Sequence, residues 1–284
     1  NGKTTCVQAI SSLLNSLGKS CGYISTVGIS LDGKEILEVP KLTTPQSLSL
    51  QKIFFEMLNC STSHVAFEAS SHGLKQSRLQ GTNINTAILT SFSQDHLDYH
   101  ENIDDYGSNK RKLFFEFEPE TSILNIDSTL GLAIYEELKS QSKNVFSISL
   151  EGGLIADFDI KFERLSECCL EATLTSPFGK GIFVLNTVSR FLAFDVLCSV
   201  SALLCEGYDI KILESISNNI KFPEGRMDFI TIDENNECCV DFAHTPEALE
   251  TTLKEINSAF QGKIWCLFGC GGDRDKIKRP IMGK

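Results

Sequence analysis

Hydrophobic and polar positions follow two rhythms along this chain, and the rhythm switches repeatedly. Val7, Ile10, Leu13, Leu14 and Leu17 fall at the i, i+3, i+4 spacing of one helix face, with Gly18 as a stop, so a helix is predicted over 6–17. Residues 21–27 read as a strand. Residues 29–31, the turn pair Asp32-Gly33 and residues 36–39 predict a hairpin. Thr43-Thr44-Pro45 leads into a helix ending near Asn59. Short apolar strands are expected at 64–68 and 87–92, a helix at 105–117, and strands at 122–126 and 144–148 with a helix between them. Strands alternating with helices of this length imply an α/β fold built on a mostly parallel sheet.

Between 157 and 185 the pattern changes. Three short strands (158–162, 169–174 and 181–185) alternate with turn residues and predict an antiparallel patch at the sheet edge. Helices are expected at 188–206 and 209–220. Phe222-Pro223-Glu224-Gly225 reads as a linker. The unit beyond it should hold strands at 227–232, 238–242 and 264–268 and a helix from Pro246 to Phe260. The stretch from Gly269 to Lys284 is rich in glycine and charge.

Composition narrows the reading. The 284 residues suffice for one large domain or two ordinary ones, and an apolar share of 42% supports a real core. A net charge of −11 argues against general nucleic-acid binding, but leaves room for one nucleotide in a locally basic pocket. No apolar run approaches the roughly 18 residues of a membrane span. Eleven cysteines include no Cys-x-x-Cys and no partner histidines at zinc spacing. Reduced thiols, and hence a cytoplasmic setting, are expected.

The candidate chemistry sits at element ends. Asn1-Gly2-Lys3-Thr4-Thr5 runs directly into the first helix and matches the second half of a phosphate-binding loop. Glycine lets the backbone approach phosphate oxygens, and a helix N-terminus offers unpaired N–H groups and the positive end of its dipole. Lys3 would neutralise phosphate charge and Thr4 would hold Mg²⁺. A helix start with ordinary polar residues gives the same five letters. Opening in mid-motif also leads one to expect a fragment. Glu68 ends an apolar strand, where ligands of open α/β sheets bind and where a carboxylate suits Mg²⁺.

Asp95-His96-Leu97-Asp98-Tyr99-His100 follows another strand and could bind metal or phosphate. Lys110 falls on the apolar stripe of its helix with Tyr106, Leu113, Phe114 and Phe117. Either its head snorkels into water or it is a partly buried amine, able when neutral to add CO₂ as a carbamate. Asp241-Phe242-Ala243-His244-Thr245-Pro246 and Gly269-Cys270-Gly271-Gly272-Asp273-Arg274-Asp275 mark a second possible ligand edge.

In order along the chain, Asn1-Gly2-Lys3-Thr4-Thr5, Thr43-Thr44-Pro45, Glu68-Ala69-Ser70-Ser71-His72-Gly73-Leu74, the segment 95–100, Tyr106 with Lys110, Gly225-Arg226-Met227, the segment 241–246 and the segment 269–275 resemble the Mur ligases of peptidoglycan synthesis. The resemblance covers nearly the whole chain. It is strongest to the members that add the third amino acid, meso-diaminopimelate or L-lysine, to UDP-MurNAc-L-Ala-D-Glu. It implies an ATP-dependent amide ligase working through an acyl phosphate, with ATP and two Mg²⁺ ions, acting as a monomer.

By this resemblance residues 1–222 form the central P-loop ATPase domain, without its opening strand, and residues 223–284 begin a Rossmann-like ligase domain. Asn1, Gly2, Lys3, Thr4, Thr5, Arg226 and Asp241 would meet the nucleotide. Thr4 and Glu68 would hold one Mg²⁺; Glu68, His96 and a carbamylated Lys110 would hold the other. Thr43, Thr44, Ser70, Gln76 and Arg78 would bind the muramoyl dipeptide, with His244, Asp273 and Arg274 at the closing edge. One departure stands out. Where the family has Asn-Val-x-Asn against adenine, this chain has Leu192-Ala193-Phe194-Asp195, which predicts altered nucleotide recognition; Gln94, where arginine is commoner, is a milder change. A nucleotide-binding pseudoenzyme, or another amide ligase of the same fold such as a folylpolyglutamate or cyanophycin synthetase, are the competing readings.

Overall fold

A computed structural model describes residues 1–31, 34–35, 42–93, 99–150, 155–234, 236–270 and 278–284, with backbone alone at 34, 35 and 278. The first helix, α1 (Lys3–Ser16), starts earlier than its apolar stripe because Gly2 adopts the left-handed region at φ 83° and turns the chain into it. Next come β1 (Cys21–Ser25), β2 (Gly28–Leu31) and the two-residue β3 (Lys34–Glu35). They form a meander: β1 pairs antiparallel with β2, and β2 with β3. The rest of the expected hairpin, at 32–33 and 36–39, lies outside the described residues. After α2 (Ser47–Asn59), β4 (His64–Phe67) returns parallel to β1.

The short helix α3 (Ser71–Lys75) precedes β5 (Thr86–Leu89), α4 (Ile103–Phe115), β6 (Thr121–Asn125), α5 (Thr129–Ser140) and β7 (Val145–Ser149). Three longer strands follow: β8 (Phe158–Ser166), β9 (Cys169–Ser176) and β10 (Gly179–Leu185). They join a six-stranded sheet of order β10-β9-β8-β7-β6-β5, parallel from β5 to β8 and antiparallel from β8 to β10. The predicted antiparallel edge is therefore present. The expectation of a mostly parallel sheet needs correcting: the strands form two mixed sheets, and the first is antiparallel apart from its β1–β4 pair. Connections only two residues long after β1 and β2 force antiparallel neighbours, because a parallel return needs a crossover.

The helices begin where side chains can satisfy their free N–H groups. Ser70, Asn102, Ser128 and Ser189 cap α3, α4, α5 and α6 (Arg190–Cys205); Asp209 caps α7 (Ile210–Ile216). α1 has no side-chain cap. Two cores result. One joins α1, α6 and α7 to β8–β10 around Leu13, Phe158, Phe183 and Leu197. The other gathers α2, α4 and α5 around Ile24, Leu50, Met57, Phe114 and Ile134. α6 is buried at every position from Leu192 to Leu204, as an all-round apolar helix must be. The Ser199 hydroxyl donates to the Cys6 carbonyl at 2.9 Å and ties α6 to α1.

Beyond the linker, β11 (Asp228–Asp233) and β12 (Asn236–Val240) form an isolated antiparallel hairpin. α8 (Pro246–Ala259) follows with Thr245 as cap and Pro246 in its first turn, and α9 (Lys278–Met282) comes last. The strand expected at 264–268 does not form. Trp265 is 82% exposed, and no neighbouring strand is available to receive its ladder bonds among the described residues. Nor do the described residues of this unit contain the parallel pair that a Rossmann-like sheet requires.

Candidate functional site

A cleft of about 820 Å³ opens above the N-terminus of α1, between the ends of the two sheets and the residues after the linker. Asn1, Gly2, Lys3, Thr4, Thr5, Thr43, Thr44, Glu68, Ser70, Arg78, Arg226, Asp241 and His244 all line it. Most of the residues expected at the site therefore converge, from six separate stretches of chain.

Its centre is Glu68, at the carboxyl end of β4 and only 2% exposed. The Thr4 hydroxyl donates to Glu68 Oε1 at 2.7 Å, and the Thr26 amide donates to the same oxygen at 2.9 Å. Thr26 Oγ1 lies 2.9 Å from Thr43 Oγ1, so the chain after β1 and the chain before α2 are tied to the same carboxylate. Thr44 works beneath this group. Its hydroxyl donates to the Glu68 carbonyl at 2.7 Å and accepts from the Ser70 amide at 3.0 Å. Arg78 Nη1 donates to the Thr44 carbonyl at 2.6 Å, and Nε and Nη2 fork onto the Gln76 side-chain oxygen. Gln76 does not line the cleft; it orients Arg78 and donates to the Tyr99 hydroxyl.

Lys110 does not snorkel. It is 9% exposed, with Nζ 4.9 Å from the centre of the Tyr106 ring. It lines a small cavity with Asn1, Lys3, Ala69, Leu113 and Phe114, next to the main cleft. Arg111 turns outward to Glu137 at 2.6 Å. His100, one of the two histidines in the 95–100 segment, is drawn away from ligand duty. Its Nε2 lies 3.0 Å from Ser71 Oγ and its Nδ1 3.1 Å from Asp105 Oδ2. The Lys75 ammonium, hydrogen-bonded at 2.7 Å, holds the Asp105 carboxyl down to about 2. This chain of contacts braces α3 against α4, the helix that carries Lys110.

Arg226 stacks its guanidinium 4.4 Å over the Phe242 ring. Asp241 is engaged locally: Oδ2 accepts from the Met227 amide, and Oδ1 accepts from the Ala243 amide and the Thr252 hydroxyl. His96, Asp273 and Arg274, with Gln94, Asp95, Asp98, Gly271 and Gly272, lie outside the described residues. Among the described residues no three His, Cys, Asp or Glu side chains converge as a metal cage. The donor set that does converge, Thr4 and Glu68, is all oxygen, as Mg²⁺ prefers when water completes its octahedron.

The cleft also holds residues not singled out from the sequence. Asn125 ends β6 and Asp127 and Ser128 follow it, a strand-end position that could have marked them. Thr90 reaches back to the Asn1 carbonyl at 2.8 Å. Glu255, in the middle of α8, carried no signal. Its carboxylate is buried and accepts the Arg190 amide at the start of α6 at 2.9 and 3.1 Å, and burial raises its pKa. Behind α1, burial pushes the Cys6 thiol up to about 12, an inert core cysteine. No described helix is long and apolar enough to cross a membrane.

Family models match the Mur ligase middle domain over residues 1–203 and the Mur ligase, glutamate ligase domain over residues 225–284. The chain is 34% identical over 282 residues to a UDP-N-acetylmuramoyl-L-alanyl-D-glutamate–2,6-diaminopimelate ligase of Ectopseudomonas mendocina, covering 99% of this chain and 57% of that protein. It is 36% identical over 293 residues to the ligase of that name from Coxiella burnetii, covering 99% and 58%. The chain thus spans little more than half the length of the curated relatives it matches. A solved structure of a ligase of the same name matches all of this chain and 57% of its own, with a TM-score of 0.80 at 29% identity. The folylpolyglutamate synthase of Mycobacterium tuberculosis shares the fold at a TM-score of 0.71 and 16% identity, over 92% of this chain and 65% of its own.

Proposed function

The chain belongs to the Mur ligase family, and from that premise we propose that it forms the nucleotide- and dipeptide-binding part of an ATP-dependent ligase. The reaction joins a third amino acid to UDP-MurNAc-L-Ala-D-Glu. The names of the relatives favour 2,6-diaminopimelate as that amino acid. Residues 1–222 would be the central ATPase domain with a P-loop ending at Thr5, and residues 223–284 the start of the ligase domain. A monomer in the cytoplasm is the working picture.

One observation carries the reading: the Thr4–Glu68 contact at 2.7 Å, at a helix start with no side-chain cap and beside Lys3 in a large cleft. Phosphoryl transfer needs positioning and charge neutralisation more than covalent help from the protein. The amides at the start of α1 would cradle phosphate oxygens, and Lys3 would neutralise their charge. Thr4 and Glu68 would hold one Mg²⁺; Glu68, His96 and a carbamylated Lys110 would hold the second. Mg²⁺ would supply charge neutralisation on the phosphates. Arg78, fixed by Thr44 and Gln76, would pair with a carboxylate of the dipeptide, with Thr43 and Ser70 as hydroxyl partners. Arg226 and Asp241 would complete the nucleotide side, and His244 would stand at the closing edge, as the second unit closes.

The D-Glu carboxylate would take the γ-phosphoryl group, and the amine of the incoming amino acid would displace phosphate from the acyl phosphate. The test is phosphate release by the full-length gene product given ATP, Mg²⁺, UDP-MurNAc-L-Ala-D-Glu and either meso-diaminopimelate or L-lysine. Release that requires one of the two supports the ligase and names its substrate. ATP binding without release on either would favour the pseudoenzyme reading, which Leu192 and Asp195 on the cleft wall motivate.

A further inference from the structure

The cleft carries an anion of its own. Asp195 lies in the second turn of α6 and is 7% exposed, yet it lines the cleft. Its carboxylate is pressed against the start of α1 so closely that a Cβ built on Gly2 would overlap it. Lys3 on α1 and Arg226 beyond the linker line the same cleft and are the side-chain cations whose charge acts on it. The neutral thiols of Cys6 on α1 and Cys198 on its own helix are the remaining titratable neighbours, with Glu68 and Asp127 standing beside those thiols. No described group donates a hydrogen bond to the carboxylate; burial and neighbouring charges alone act on it.

Such a group cannot be indifferent to a polyphosphate. Phosphate at the start of α1 would bring negative charge next to a desolvated carboxylate and would draw on the same cations, Lys3 and Arg226. Like charges at close range in a poorly solvated site disfavour each other's ionisation. We propose that Asp195 is an internal anion that competes with nucleotide phosphates for Lys3 and Arg226, so that nucleotide enters this cleft together with a proton on that carboxylate. The proton comes from solvent and forms one O–H bond on Asp195; no other bond changes. This inference rests on the nucleotide-binding reading above and adds a control to it. Burial already pushes Asp195 up to about 7 before any ligand arrives, so uptake falls in the neutral range.

The experiment is calorimetric titration of the full-length protein with ADP and Mg²⁺, a probe that cannot turn over. It is run from about pH 7 to about pH 8.5 in two buffers of different ionisation enthalpy, for wild type and Asp195→Asn. Wild type should take up protons on binding ADP, from about half a proton near pH 7 towards one near pH 8.5, and lose affinity by up to about tenfold per pH unit over this range. Asp195→Asn should bind without that uptake, lose the pH dependence, and at the alkaline end bind about tenfold tighter than wild type. Equal proton uptake and equal pH slopes in the two proteins would overturn the proposal while leaving nucleotide binding intact. Weaker binding by Asp195→Asn at every pH would also overturn it. No ADP binding by either protein at any pH would remove the nucleotide reading and this inference together. The wild-type proton count stands even if the variant folds poorly.

Discussion

α6 and α8 both border the cleft, and they are held there by opposite means. α6 buries thirteen consecutive residues, Leu192 to Leu204, between α1 and the six-stranded sheet. α8 is 14 residues long and buries Glu255 alone. That carboxylate meets the first amide of α6, so the unit beyond the linker is docked on the central body by a polar contact rather than by a shared core. One wall of the cleft is over-determined by packing and the other is weakly attached. Units joined this way are expected to move relative to each other.

The contrast breaks most visibly in the cores. Phe183→Ala, at a fully buried position of β10, should cost about 3–5 kcal/mol in denaturant unfolding. Phe242→Ala, at an exposed phenylalanine beyond the linker, should cost less than about 1 kcal/mol. Equal losses would mean that the second unit shares the core after all.

Asp195 tests the packed wall electrostatically. Its folded pKa is raised from 3.8 to about 7, so between those values the folded state holds a proton that the unfolded state has lost. The associated stability is present below about pH 4 and is lost as pH rises through about 7. Wild type should therefore lose about 2 kcal/mol between pH 5 and 7 that Asp195→Asn retains. Parallel pH–stability curves for the two proteins would contradict the burial argument.

Gly2→Ala probes the same contact from α1. Gly2 sits at φ 83° and has no room for a Cβ beside Asp195. A loss of about 1–3 kcal/mol is expected. The double variant with Asp195→Ala should recover part of it, since the overlap disappears and the φ strain stays. A strictly additive double variant would show that the two residues do not touch in solution.

The docking contact should have the smallest effect on global stability. Glu255→Gln leaves the Arg190 amide a neutral acceptor, a change of about 1 kcal/mol. It should act on the attachment and not on the core: faster proteolysis in the linker 222–225, with the main unfolding transition unmoved. An unchanged cleavage rate would mean that other contacts hold the unit in place.

Where a segment is long and periodic, its element was legible. The helices expected at 105–117 and 188–206 appear at Ile103–Phe115 and Arg190–Cys205, and the antiparallel edge appears as β8–β10. Glu68 and the Thr43-Thr44 pair could be singled out because they stand at element ends, and the fold brings them to the cleft wall. Lys110 was ambiguous, since an apolar stripe says that a lysine is near the core but not where its amine ends. Residues 264–268 were misread because a short apolar run predicts a strand whether or not a partner strand exists. Glu255 was illegible: a glutamate in mid-helix becomes a docking group only when a helix N-terminus from 65 residues away comes to meet it.

By itself, the sequence determined the order of the elements, the uncapped glycine-led start of α1, and the family to which these motifs belong. Those features rest on local periodicity and on short strings whose chemistry is contained within a few residues. Tertiary structure decided that the strands divide into two mixed sheets and a separate hairpin, that Thr4 meets Glu68, and that Asp195 lies against Gly2. The physical reason is that ladder partners, desolvation and charge proximity are properties of pairs distant in the chain. A carboxylate acquires its pKa, and a glycine its second reason for being glycine, only when folding brings the two together.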